Sequence, residues 1–350
     1  MPPPQSLLIQ TSFLGDTVLA TPLIAALASR GTVDVVVTPA AAPLLVNHPH
    51  IRELFTYDKR GADRGIDGVL RTARRIRARW RERGERAADT TAYLAQGSVR
   101  SAALARLTGA HHRVGFASAP GRVLYTHRVS PRTGTHHAAR LLNLAFAQLG
   151  GLPPETDIVP RLYPGDAERD AVDRLLAPGP PPGGRPLVAL APGSIWGTKR
   201  WPYYADLAGR LTSRCEIVIV GGAADAAAAH AIVDAAPNST LDATGRLSLL
   251  ASAELIRRAT VLVTNDSLPQ HLASAMGTPT VTIFGPTVPE FGFGPLAPGS
   301  VSLGVTSLTC RPCHHHGPAV CPLGHWRCMR ELGVDEVEAA VAAIMSRQRF

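Results

Sequence analysis

The residues best placed to do chemistry lie at the ends of apolar runs. Val261, Leu262 and Val263 give way to Thr264-Asn265-Asp266-Ser267, then Pro269 and a helix-compatible stretch at 271–276 that Gly277 stops. A second apolar run at 280–284 breaks at Gly285-Pro286. Strand, capped helix, turn and strand make a short βαβ unit. Asn265, Asp266 and Ser267 are all good N-cap residues, and proline suits a first helical turn. Such a helix start at a strand's carboxyl end binds anions, phosphates above all; its plain alternative is an ordinary capped helix. Asp16 follows a strand (6–10) and Gly15 and precedes an apolar helix (17–28). It is either a base on a loop or an acid favoured by the helix dipole. Lys59 and Lys199 are the only lysines beside 34 arginines (36 Lys+Arg minus 2). A compact ammonium retained in such a composition marks Lys199 as a residue for which a forked guanidinium would not serve.

These residues need a scaffold of alternating strands and helices. In the first half, strands are expected at 6–10, 33–38, 93–95 and 113–116. In the second half they are expected at 187–191, 216–220, 261–263 and 280–284, with helices at 202–211, from 224, at 248–258 and at 335–347. Between the halves, Pro153-Pro154, Pro160, Pro164 and the run 178–184 exclude regular structure and mark a connection. Two βα series in 350 residues predict two domains, each a doubly wound α/β sheet, with ligands at the strand ends. The expected divisions are 1–165, a Pro/Gly-rich connection at 166–186, a second domain at 187–332 and a terminal helix at 333–350.

The net charge of +9 is uneven: residues 1–150 hold 20 basic against 9 acidic residues (+11), leaving −2 for 151–350. An acidic partner is therefore expected at the first half. An arginine-dense helix at 71–86, with Leu70, Ala73, Ile76 and Trp80 turned inward, is either a solvated face or a patch for anionic lipid. No nucleic-acid signature accompanies it. No apolar run approaches bilayer length, and residues 1–10 lack the basic region of a secretion signal, so a cytoplasmic protein is expected.

Four stretches taken together carry a resemblance. They are Thr11-Ser12-Phe13-Leu14-Gly15-Asp16, the run from Pro192-Gly193-Ser194 through Lys199 to Pro202, Thr264-Asn265-Asp266-Ser267 with His271, and Phe284-Gly285-Pro286-Thr287. In this order the chain resembles the family 9 glycosyltransferases, the ADP-heptose:lipopolysaccharide heptosyltransferases, most of all the heptosyltransferase II subgroup. The resemblance implies a GT-B fold of two Rossmann-like domains facing across a cleft, acceptor on the first and nucleotide sugar on the second. It also implies inverting transfer of L-glycero-D-manno-heptose to a heptose of the inner core, at the inner face of the inner membrane. Asp16 would then be the general base. Ser194 and Lys199 would face the diphosphate, Asp266, Ser267 and His271 would line the donor site, Asp225 would lie near the ribose and Leu247 against adenine. No cofactor or metal is implied for transfer. Leu268 departs from the glycine common there, which puts the donor geometry in question. Two other readings compete: a related transferase with another nucleotide sugar or acceptor, and a non-catalytic basic protein on anionic lipid.

Four of the five cysteines, Cys310, Cys313, Cys321 and Cys328, crowd together with His314, His315, His316 and His325. Thiolates and imidazoles are zinc ligands, but C-x2-C-x7-C-x6-C is not a standard ribbon spacing; a reduced, partly buried loop near the expected cleft is the alternative. Cys215 is expected in the core. His136 and His137 precede an apolar helix, with no role decided.

Overall fold

In a computed structural model, residues 4–146, 158–177 and 185–347 are described. The chain divides into two compact units, residues 1–163 and 164–350. Each is a Rossmann-like layer of helices on a six-stranded, all-parallel sheet, so the α/β, GT-B-type class expected from the sequence is the class found.

The first unit runs β1 (Gln5–Gln10), α1 (Leu14–Leu19), α2 (Thr21–Ala28), β2 (Thr32–Val37), β3 (Glu53–Thr56), α3 (Gly65–Glu82), β4 (Thr90–Leu94), α4 (Val99–Leu107), β5 (His112–Phe116), β6 (His127–Val129) and α5 (His137–Phe146). Its strand order is β3-β2-β1-β4-β5-β6. Every residue of β1 is buried, as a central strand covered on both faces requires. The order reverses between β1 and β4, and the loops leaving those strands open the crevice in which such sheets hold ligands. The expected single helix at 17–28 is two: α1 ends at Leu19, and Pro22 sits in the first turn of α2.

The second unit runs α6 (Asp166–Leu176), β7 (Leu187–Ala191), α7 (Tyr204–Leu211), β8 (Glu216–Ile219), α8 (Ala226–Ala235), β9 (Thr240–Asp242), α9 (Leu249–Arg258), β10 (Val261–Asn265), α10 (Leu268–Met276), β11 (Thr280–Ile283), β12 (Val301–Leu303), α11 (Arg327–Arg330) and α12 (Val334–Arg347). Its order, β12-β11-β10-β7-β8-β9, reverses between β7 and β10. Residues 166–176, which composition marks as connection, form α6. Val172 and Leu175 are buried, and the Gly165 N–H donates to the Glu168 carboxylate at 2.7 Å. The proline run at 178–184 and Pro153-Pro154 lie outside the described residues. The terminal helix α12 is part of the second core, burying Val337, Val341 and Ile344 with Val261 and Val281. Cys215 is in that core too, as expected.

The arginine-rich helix is α3, and its inner face is Val69, Ala73, Ile76 and Trp80; Leu70 is only half-buried. Several of its arginines serve the fold. Asp34 on β2 is fully buried and accepts from Trp80 Nε1 at 2.7 Å and Arg52 Nη2 at 2.7 Å, with Arg83 at 3.5 Å. Arg79 and Arg83 pair with Glu53, and Arg71 lies 3.7 Å from Asp63. Arg74, Arg77 and Arg81 are exposed and, among the described residues, carry no ion pair.

Candidate active site

At the first unit's switch point, β1 delivers Thr11 and Ser12, and Asp16 follows in the first turn of α1. The loop is fixed from within. Gln10 Oε1 accepts from the Ser12 N–H at 3.2 Å, and Thr11 Oγ1 donates to Gln96 Oε1 at 3.1 Å, tying it to the loop after β4. The side chain of Asp16 keeps about 20% of its exposure, and His137 Nε2 on α5 lies 3.9 Å from its Oδ1. Burial, helped by Arg140 and His136, pushes His137 down to about 3. The imidazole is therefore neutral at physiological pH, and the approach is not an ion pair. Arg140 is also within electrostatic reach of Asp16. Asp16 thus has a neutral polar ring on one side and a guanidinium nearby. His137, undecided from sequence, stands beside the candidate base because α5 packs against α1 and α2.

In the second unit the loops after β7 and β10 meet. Asn265, fully buried at the end of β10, donates through Nδ2 to the Pro192 carbonyl at 2.8 Å and accepts from the Trp201 N–H at 3.1 Å. Ser267 occupies the N-cap position of α10 without a capping side-chain bond; its hydroxyl instead donates to the Gly193 carbonyl at 3.4 Å. Lys199 Nζ donates to Asp266 Oδ2 at 2.6 Å and to the Asp266 carbonyl at 3.2 Å. The same carboxylate accepts from Thr287 Oγ1 at 2.6 Å and from Gln270 Nε2 at 2.9 Å. Ser194 is buried, and its Oγ accepts from the Trp196 N–H at 3.3 Å. His271 is buried one turn into α10, its ring 6.5 Å from that of Phe293.

Asp225 accepts from the Gly222 N–H at 2.9 Å and crowds Gly193, where an added Cβ would stand 2.3 Å from Asp225 Oδ1. A side chain at position 193 would therefore have to displace the Asp225 carboxylate. Leu247 is half-buried in the loop after β9, which is tied to this corner by the Gly245 N–H to the Gly221 carbonyl at 3.0 Å. Ser194, Lys199, Asp225, Asp266, Ser267 and His271 thus gather at one sheet edge, with Leu247 in the neighbouring loop, while Asp16 belongs to the other unit. Sequence reasoning missed Asn265 as the bridge between loops, and Gln270 and Thr287 as partners of Asp266. The signal available was three polar residues inside otherwise apolar, buried stretches. Leu268 opens α10 without positive φ, so its backbone conformation does not call for glycine.

The model of glycosyltransferase family 9 (heptosyltransferase) matches residues 76–325, well over half the sequence. The chain belongs to glycosyltransferase family 9. As a member of that family it is an enzyme, a heptosyltransferase. It is 30% identical over 321 residues to lipopolysaccharide heptosyltransferase 1 of Pseudomonas aeruginosa, covering 88% of this chain and 85% of the relative. It is 27% identical over 312 residues to lipopolysaccharide heptosyltransferase 2 of Escherichia coli K12, covering 81% and 84%. Sequence likeness therefore spans both the type 1 and type 2 enzymes and does not single out type 2. The solved E. coli ADP-heptose lps heptosyltransferase II superposes with a TM-score of 0.79 at 22% identity, covering 99% of this chain and 100% of that one, which shows the shared fold.

Proposed function

We propose that this glycosyltransferase transfers L-glycero-D-manno-heptose from ADP-heptose to a heptose of the lipopolysaccharide inner core, with inversion at the anomeric carbon. The observation that carries the reading is the gathering of Ser194, Lys199, Asp266 and His271 at the β7/β10 switch point, where a parallel sheet receives a phosphorylated ligand. The names of the relatives, heptosyltransferases 1 and 2 and an ADP-heptose enzyme, supply the donor sugar and the nucleotide.

In this reading the acceptor hydroxyl oxygen attacks the anomeric carbon as its proton passes to the carboxylate of Asp16. The carbon–oxygen bond to the diphosphate breaks, and ADP leaves with the electron pair. A carboxylate in the first turn of α1, on the acceptor domain, can act as that base. The departing charge is met by Ser194, the start of α10 and Lys199. Two acceptors of the Lys199 ammonium are atoms of Asp266, which leaves its third N–H for a diphosphate oxygen. Asp266 then acts mainly by aiming Lys199. Asp225 lies beside Gly193, which suits a ribose hydroxyl, and Leu247 offers an apolar face for adenine. The exposed Arg74, Arg77 and Arg81 suit a peripheral contact with an anionic membrane carrying the acceptor; no described helix is long and apolar enough to cross one.

The test is release of ADP when the purified chain receives ADP-heptose and a heptose-bearing truncated core acceptor, with release lost in Asp16→Ala. A screen of other ADP- and UDP-linked sugars accompanies it. Turnover of one of those in preference to ADP-heptose, or of none, would remove the assignment.

A further inference from the structure

The segment that runs from the end of β12 through α11 has no place in the chemistry above, yet it carries four of the five cysteines. Their spacing along the chain is irregular, but the fold returns them to one place. Cys310, Cys313, Cys321 and Cys328 together line a pocket of about 40 Å³, along with His325, Arg311, Pro286, Pro322 and Leu323. Cys310 Sγ lies 3.8 Å from His325 Nε2. The sulfur of Cys328 is within electrostatic reach of those of Cys310, Cys313 and Cys321. The turn at 323–326 folds back on Cys321, the Gly324 N–H donating to the Cys321 carbonyl at 3.0 Å, and its backbone N–H groups favour the Cys321 thiolate. That turn contains Trp326 at φ +55°, the only non-glycine positive φ among the described residues. A left-handed tryptophan is unfavourable in itself, and such conformations persist where surrounding structure enforces them. Among the described residues, no three potential ligands already stand at metal-holding distance. The four cysteines nevertheless line one pocket and lie within electrostatic reach of one another.

We propose that these four cysteines form a tetrathiolate site for a divalent transition metal, zinc or iron(II), and that the metal braces the donor loop. Three sulfurs from loop residues and a fourth from α11 suit a tetrahedral soft-ligand site. Binding releases four thiol protons and leaves a complex of charge −2. Arg311 and Arg327 offset that charge, lying within electrostatic reach of Cys328 and Cys310 respectively.

The bracing follows from what the segment touches. Arg311 donates from Nε to the Gly285 carbonyl at 2.6 Å and from Nη2 to the Thr287 carbonyl at 3.2 Å, and the Cys313 N–H donates to the Pro286 carbonyl at 3.1 Å. Thr198 donates to the Pro318 carbonyl. Gly317, at φ +86°, packs so closely on Lys199 that an added Cβ would stand 3.1 Å from Lys199 Cε. A metal that fixes the cysteine turns therefore fixes the wall against which Lys199 and Thr287 hold Asp266. This second part rests on the donor-site reading; the metal site itself does not.

The test is elemental analysis of the full chain, purified without chelator from medium containing both zinc and iron. The expected result is about one metal per chain, with zinc and iron told apart by the measurement. The metal is lost in Cys310→Ser and Cys321→Ser and kept in Cys215→Ser. Cobalt(II) added to chelator-treated wild-type chain gives the intense visible bands of tetrahedral thiolate coordination, which keeps the test open should the serine variants fail to fold. A chain that takes up neither native metal nor cobalt, metal retained in both serine variants, or disulfides within the cluster by alkylation and mass spectrometry would overturn the site. Metal removal weakens ADP binding by roughly tenfold, the scale of losing an outer support to a ligand site. Unchanged ADP affinity after removal overturns the bracing role. Failure to bind ADP with metal in place counts against the donor reading and leaves the metal site standing.

Discussion

Lys199 Nζ sits 2.6 Å from Asp266 Oδ2, and each side chain keeps only 9% of its exposure. The pair joins the loop after β7 to the loop after β10, and it is nearly dry. Breaking one partner of such a pair leaves a charge uncompensated, at a cost of about 3–5 kcal/mol. Lys199→Met and Asp266→Asn are each expected to lower stability on that scale in urea titrations. The double variant is expected to lose clearly less than the sum. ADP binding, followed by calorimetry, is expected to be lost whenever Lys199 is absent, including in the double variant. Restored ADP binding there would show that Lys199 is structural only.

Asp16 is in a short helix at the surface of its crevice, so its removal should leave the fold intact. Asp16→Asn keeps the shape and removes the base. The turnover number is expected to fall by about 10²–10⁴-fold, with the KM for the nucleotide sugar nearly unchanged. A comparable rise in KM would place Asp16 in donor binding instead.

His137 sets a pH dependence. Its folded value is about 3 against an ordinary value of 6.5. The unfolded chain therefore binds the proton first as pH falls. Stability drops from about pH 6.5 downward, and the drop continues until the folded value is reached. Between pH 7 and pH 5 this removes up to about 2 kcal/mol. His137→Gln is expected to show a flatter stability profile over that interval, measured by denaturant midpoints. His48, pushed down to about 4 by burial and by His50, adds a slope of the same sign that the variant leaves in place.

The arginines of α3 are expected to separate into two sets. Arg74→Gln, Arg77→Gln and Arg81→Gln together lower binding to phosphatidylserine vesicles by about 1 kcal/mol per residue, without moving the melting temperature. Arg83→Gln, whose guanidinium reaches Glu53 and Asp34, lowers the melting temperature instead. Added salt weakens the vesicle binding of the parent chain. Equal vesicle binding by the triple variant and the parent would remove α3 as the membrane contact.

The alternation of apolar runs with helix-compatible segments, and the polar or glycine residues ending each run, were sufficient for two doubly wound units and for the family. Both follow from local periodicity and from the order of short motifs, which the chain carries without folding. The edge strands β3, β6, β9 and β12 escaped that reading. They are three or four residues long and partly exposed, too short for a pattern. Helix α6 escaped it as well, lying among prolines that argue for a connection.

Tertiary structure alone decided the partners. Asp266 and Lys199 are 67 residues apart in sequence, and they meet because the β7–β10 pairing brings two strand ends together. His137 reaches Asp16, Arg83 reaches Asp34, and four unevenly spaced cysteines close on one pocket for the same kind of reason. A side chain's charge state and its availability to a ligand depend on neighbours that sheet order supplies. Spacing along the chain names the groups that can act; packing determines which of them are already held.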